Sequence, residues 1–177
     1  MTEKPSEMAD PVCGTVVPAG QHEAVHLDIA YAFCSEHCRD RFFAHPHLYI
    51  GRPGQKAPKQ EGREVIERRR LRLDSALAPD HAEIVAEILR GMTGVKAVLI
   101  DGDQIQLSYD LLQVTAEQIE AQVGKLGAQL REGWPDGLRL AFIHYVEDCT
   151  IGSLEVSEPH LNGRAKRDLG PVEPFIP

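Results

Sequence analysis

The sequence predicts an α+β protein made of two small units joined by a linker, and three observations predict it. A C-x20-C-x3-C array near the amino terminus lies among turn residues and aromatics. A stretch rich in Gly, Pro and Lys follows at 51–62. Beyond it, apolar residues alternate between the two-residue period of strands and the 3.6-residue period of helices. A chain of 177 residues has room for two cores of about 50 and 100 residues.

Residues 1–9 offer nothing to bury and read as an unstructured tail. The cysteine module spans 10–50. Its stretch Val16–Phe33 reads as hairpin-like with Pro18-Ala19-Gly20 as the turn, and a helix runs from Ser35, a suitable N-cap, to about Ala44. Gly-Arg-Pro-Gly-Gln-Lys-Ala-Pro-Lys-Gln-Glu-Gly at 51–62 is the linker. In the second unit, 63–150, Val65, Glu67, Arg69, Leu71 and Leu73 share one side of a strand. Asp80–Gly91 is a helix with Ile84, Val85, Ile88 and Leu89 at helical spacing. Val95–Ile100 and Gln104–Tyr109 are strands around the tight turn Asp101-Gly102-Asp103. Thr115 caps a helix with Ile119, Val123 and Leu126 inward, and Gly127 ends it before a short strand near Ala128–Arg131. The order β-α-β-β-α-β is a ferredoxin-like unit. An extra helix follows Trp134-Pro135-Asp136, and 151–177 reads as a polar, proline-containing tail.

The array carries the chemistry. Cys34 and Cys38, four apart on one helical face, have Cβ atoms roughly 5–6 Å apart. A tetrahedral ion holding sulfur at about 2.3 Å accepts that spacing, whereas a disulfide wants Cβ atoms about 3.8 Å apart. Cys13, Cys34 and Cys38 are therefore expected metal ligands for a soft ion, Cu(I) or Zn²⁺. His37, three residues after Cys34, is a candidate fourth ligand, and His22, His26, His45 and His47 are further histidines in reach. A histidine would complete a tetrahedral site suited to Zn²⁺, and three thiolates alone suit Cu(I). Asp10 could ligate or accept hydrogen bonds, though a hard carboxylate suits a soft ion poorly. His144 and Cys149, near Glu147, Asp148 and downstream His160, form a second, weaker set of candidate ligands.

Composition removes several functions. The chain has 27 acidic against 19 basic residues, net −8, which argues against nucleic acid as a partner. The run Arg68-Arg69-Arg70 with Arg72 stands beside Glu64 and Glu67 and reads as a solvated strand face. The first residues lack a signal-peptide core, and no stretch has the ~18 apolar residues of a membrane span. A cytoplasmic protein without membrane insertion is expected, where cysteine clusters bind metal more often than they form disulfides. There is no nucleophile signature and no phosphate loop, since Gly91-Met92-Thr93-Gly94 lies between a helix end and a strand, so no enzyme is expected.

Asp10-Pro11-Val12-Cys13-Gly14, Tyr31-Ala32-Phe33-Cys34-Ser35, Cys38, Phe42, Pro46 and Tyr49 resemble the YHS/TRASH family of treble-clef-like metal-binding modules over residues 9–50. Thr15 departs from the Met that often follows Cys-Gly there. Gly91-Met92-Thr93-Gly94-Val95-Lys96-Ala97-Val98, Tyr109-Asp110 and Leu126-Gly127 resemble the heavy-metal-associated domain over 63–132. Its Cys-x-x-Cys is missing, because the first loop reads Asp74-Ser75-Ala76-Leu77-Ala78-Pro79-Asp80, so that family's metal site is not carried over. The resemblances imply metal trafficking, efflux or resistance, with a heavy-metal P-type ATPase or related transporter as partner. The second unit then serves as a docking surface or makes a homodimer. A structural-zinc interaction module is the alternative.

Overall fold

The computed structural model describes residues 7–131 and 134–155, with only the backbone given at 134–136. It contains mixed helices and antiparallel sheets. Strand β1 (Glu7–Ala9) pairs antiparallel with β2 (Val16–Pro18), so ordered structure begins earlier than the expected tail allows. The turn between them closes through Asp10 N–H to Thr15 O, 2.9 Å, and Gly14 N–H to Asp10 O, 2.8 Å. Val16–Pro18 therefore does not form the first arm of a hairpin reaching Phe33. The hairpin is β3 (Ala24–His26) with β4 (Ile29–Tyr31), and its two-residue turn is Leu27-Asp28 with φ 51° and 60°. No glycine marks that turn, which is why sequence reading places it at Gly20.

Helix α1 (Glu36–Ala44) is N-capped by Ser35, whose side chain accepts from the Cys38 amide. A 3-10 turn, Pro46–Leu48, follows. Phe42 anchors this module, with ring centroids 4.9 Å from Tyr31, 5.3 Å from Phe33 and 6.1 Å from Tyr49.

The second unit runs β5 (Ile66–Arg72), α2 (Pro79–Arg90), β6 (Val95–Asp101), β7 (Gln104–Asp110) and α3 (Ala116–Lys125), then α4 (Trp134–Glu155). The three strands form an antiparallel sheet in the order β5-β7-β6. The strand expected near 128–131 shrinks to one bridge, Leu73 to Leu130, flanked by Arg131 N–H to Arg72 O at 2.9 Å. Leu71, Leu73, Ile105 and Leu107 are buried on the sheet, and Val85, Leu89, Ile119 and Val123 on the helices. Ile84 and Ile88, expected in that core, are 54% and 38% exposed, because α2 turns Val85, Ala86 and Leu89 inward. Thr115 and Gln118 cap α3 reciprocally.

Helix α4 begins at Trp134 and continues to Glu155, past the residue where the polar tail is expected to start; the rest of that tail, 156–177, lies outside the described residues. Glu147 of this helix is buried, accepting from the Tyr109 hydroxyl and from the Ala116 amide, 3.0 Å. Burial together with that carboxylate pushes the Tyr109 hydroxyl well above its ordinary pKa.

The two units share one hydrophobic core. Arg41 Nη2 donates to Leu111 O at 2.6 Å, Tyr49 Oη to Leu112 O at 2.5 Å, and His37 Nε2 faces Gln113 O at 3.0 Å. The linker is not bare either: Ala57 is buried, Lys59 N–H reaches Leu48 O at 3.0 Å, and Gln60 Oε1 accepts from Ala57 N–H at 3.0 Å.

Candidate metal centre

Three chain segments deliver the thiols. The turn after β1 supplies Cys13, the bend just before the α1 cap supplies Cys34, and the first turn of α1 supplies Cys38. Cys34 thus lies outside the helix, not on its face as the spacing implied. Ser35, extended at φ −156°, swings it back over the helix end. The outcome still brings sulfur to sulfur: Cys13 Sγ is 3.5 Å from Cys34 Sγ, and Cys34 Sγ is 3.5 Å from Cys38 Sγ. An ion bound at about 2.3 Å in tetrahedral array separates its sulfurs by about 3.8 Å. Both of these pairs therefore reach the spacing a soft cation needs after movements of a few tenths of an ångström.

Asp10 holds the segments together. Its side chain is 1% exposed; Oδ1 accepts from Val12 N–H at 2.8 Å and Cys13 N–H at 3.4 Å, and Oδ2 accepts from Cys34 N–H at 2.8 Å. One carboxylate thus ties both loops that carry thiols. Burial raises its pKa, but hydrogen bonds from the Cys34 and Val12 amides and from the Cys34 and Cys13 thiols outweigh burial and hold it below the ordinary carboxylate value. Asp10, Cys13, Cys34 and Cys38 have their ligand atoms within 4.8 Å of one another, and among the described residues they are the group of this kind that converges.

The thiols are not equivalent. A hydrogen bond with Cys38 pulls the Cys13 thiol down to about 6, with burial opposing and Thr15, whose Oγ1 is 3.2 Å from that sulfur, assisting. The same bond, together with burial, pushes Cys38 well above its ordinary value, and burial raises Cys34. At neutral pH one thiolate is thus cradled by two thiols. Thr15 contributes directly to that thiolate.

The other predicted residues go elsewhere. His37 Nε2 is engaged by Gln113 O. His144 Nε2 lies 3.2 Å from both carboxylate oxygens of Glu120, whose pKa burial raises despite the histidine beside it. Cys149 is exposed on α4. His26 stacks edge-on to Phe42, and His45 pairs with Glu155 at 3.3 Å. Gln21 carried no signal in sequence, yet its Nε2 donates to Cys34 O at 3.3 Å and its own carbonyl accepts from Phe33 N–H at 3.0 Å, fixing the approach to Cys34.

The fold and this cluster define a candidate soft-metal-binding site. No family model matches the chain, and no curated protein matches it. Among solved structures it is similar to the solution structure of a copper form of a singly substituted CopA from Bacillus subtilis, at 16% identity, covering 38% of this chain and 91% of that one, with a TM-score of 0.34. A likeness that loose carries no argument about the site.

Among the described residues no helix is long and apolar enough to cross a membrane.

Proposed function

We propose that the chain is a cytoplasmic protein that binds Cu(I) through Cys13, Cys34 and Cys38 and takes part in metal trafficking, efflux or resistance. The observation that carries this reading is the convergence of three sulfurs, 3.5 Å between successive pairs, with no histidine nitrogen among them in the described residues. An all-thiolate donor set favours a soft monovalent ion. In the mechanism, the Cys13 thiolate makes the first bond, and Cys34 and Cys38 surrender their protons as they close. Asp10 keeps the three segments in place throughout. An incoming thiolate of a partner, by resemblance a heavy-metal P-type ATPase or related transporter, then displaces one of the three.

A structural-zinc module is the second reading, favoured by the Asp10 carboxylate as an oxygen donor within 4.8 Å. The shared core weighs against it. Arg41, Tyr49 and His37 bind the cysteine module to the second unit, which leaves less for a metal to hold together. The deciding experiment measures metal content of protein purified under reducing conditions, wild type against the Cys34→Ser, Cys38→Ser double variant, with circular dichroism before and after chelation. A soft ion lost from a variant that stays folded supports the carrier. Zinc whose removal unfolds 10–50 supports the structural module, and no metal in either protein refutes both.

A further inference from the structure

On β5 the residues of odd and even number meet different fates. Arg69 turns toward carboxylates, lying 2.8 Å from Glu67 and 3.7 Å from Glu147. Arg68, Arg70 and Arg72 point to the other side of the sheet, about 6.6–6.8 Å apart along the strand. There they line a groove of about 940 Å³ between α4 and the sheet face left exposed among the described residues; Arg139 from α4 joins them, and the ion-paired Arg69 also lines it. None of these four guanidinium groups has an ion pair among the described residues, although the chain as a whole carries a net charge of −8. Between them the surface is apolar: Leu99 on the floor is 59% exposed, and Phe142 on the α4 wall is 65% exposed.

Like charges gathered without counter-charge repel, and an acidic chain has ample carboxylates with which to neutralise them. Four cations without an ion pair among the described residues, set around exposed leucine and phenylalanine, are complementary to a ligand that is both anionic and apolar. We propose that this groove docks an acidic, amphipathic polypeptide segment of another protein, its carboxylates paired with Arg68, Arg70, Arg72 and Arg139 and its apolar side chains set against Leu99 and Phe142. Arginine forks suit carboxylates bidentately. Single-stranded nucleic acid is the poorer match, because a sheet that binds it presents aromatic rings for stacking bases, whereas this floor presents Leu99 and Ala97. A second copy offering the same face would set arginine against arginine. The inference stands apart from the metal reading, since no residue of the groove belongs to the thiol site.

The test uses the full chain and fluorescence anisotropy with three probes: a labelled synthetic peptide bearing glutamates on one helical face and leucines on the other, a labelled single-stranded oligonucleotide, and phosphatidylserine vesicles. Wild type is expected to bind the peptide, more weakly as salt rises, and the Arg70→Glu, Arg139→Glu variant to bind it about tenfold or more weakly. Circular dichroism and metal content report on fold and thiol site separately; should the reversal unfold the chain, Arg68→Gln with Arg70→Gln carries the same readout. Absence of peptide binding, equal binding by a folded variant, or tighter binding of the oligonucleotide or vesicles overturns the proposal.

Discussion

Removing the Asp10 carboxylate is the sharpest probe of how the thiol site is built. Two amides, Val12 and Cys34, each donate to it at 2.8 Å, and Cys13 donates at 3.4 Å, around a side chain that is almost fully buried. Hydrogen bonds to a charged group contribute about 1.5–3 kcal/mol each, and a buried donor left unpaired costs its desolvation. Taking about 2 kcal/mol for each short bond, Asp10→Ala should destabilise the fold by about 4 kcal/mol. Asp10→Asn keeps one acceptor but turns an NH₂ toward the other amide, and should cost about 2 kcal/mol. Because the same carboxylate orients Cys13 and Cys34, soft-metal affinity should also fall by about 10–100-fold. Urea unfolding followed by circular dichroism gives the first quantity, and competition with a chromophoric chelator gives the second. If Asp10→Ala unfolds within about 0.5 kcal/mol of wild type, the level expected for an ordinary surface change, Asp10 does not hold the two loops together.

Three further outcomes are expected. In metal-free protein Cys13, with its pKa lowered to about 6, should be alkylated by iodoacetamide before Cys34 and Cys38 and should stay reactive as pH falls toward 6; peptide mass mapping with exposed Cys149 as the reference reads this directly. Gly94→Ala should cost about 2–3 kcal/mol in a denaturant titration, because φ is +93° there and a Cβ would meet the Gln113 Cβ at 2.6 Å. Glu120 has a raised folded pKa, so its contribution to stability is present below its ordinary pKa and is lost as pH rises through the folded one. Glu120→Gln should accordingly be neutral or stabilising at pH 7, and thermal melts from pH 4 to 8 should show a flatter pH profile than wild type.

What sequence revealed depended on whether the cause was local. The alternation of Val65, Glu67, Arg69, Leu71 and Leu73 states directly which side of β5 faces inward, because strand period is a property of the backbone. Thr115 and Gln118 announce their capping box by spacing alone. Ile84 and Ile88 mislead because α2 carries apolar residues over more of its circumference than its neighbours cover. The Leu27-Asp28 turn is hidden because leucine rarely adopts left-handed backbone and no glycine stands beside the aspartate to mark it. The three thiols are legible as a set, but their positions are not: spacing puts Cys34 on the helix, whereas its convergence with Cys38 depends on the extended Ser35. The union of the two units is least visible, since Arg41, Tyr49 and His37 find backbone carbonyls, and carbonyls look alike in every sequence.

That last feature makes the joint between the units one-sided. On the cysteine module, the particular side chains of His37, Arg41 and Tyr49 supply these contacts, beside the separate His45–Glu155 pair, and none of the three can be exchanged without leaving a carbonyl bare. On the other unit, the carbonyls belong to Leu111, Leu112 and Gln113 only as peptide groups, so their hydrogen-bonding role survives any replacement that keeps the backbone path. A chain diverging from this one is therefore free to rewrite the hydrogen-bonding half of the seam at 111 and 112, limited there by packing, and at 113 by packing and the 2.7 Å bond from Gln113 Nε2 to Asp110, while positions 37, 41 and 49 stay tied to their present chemistry.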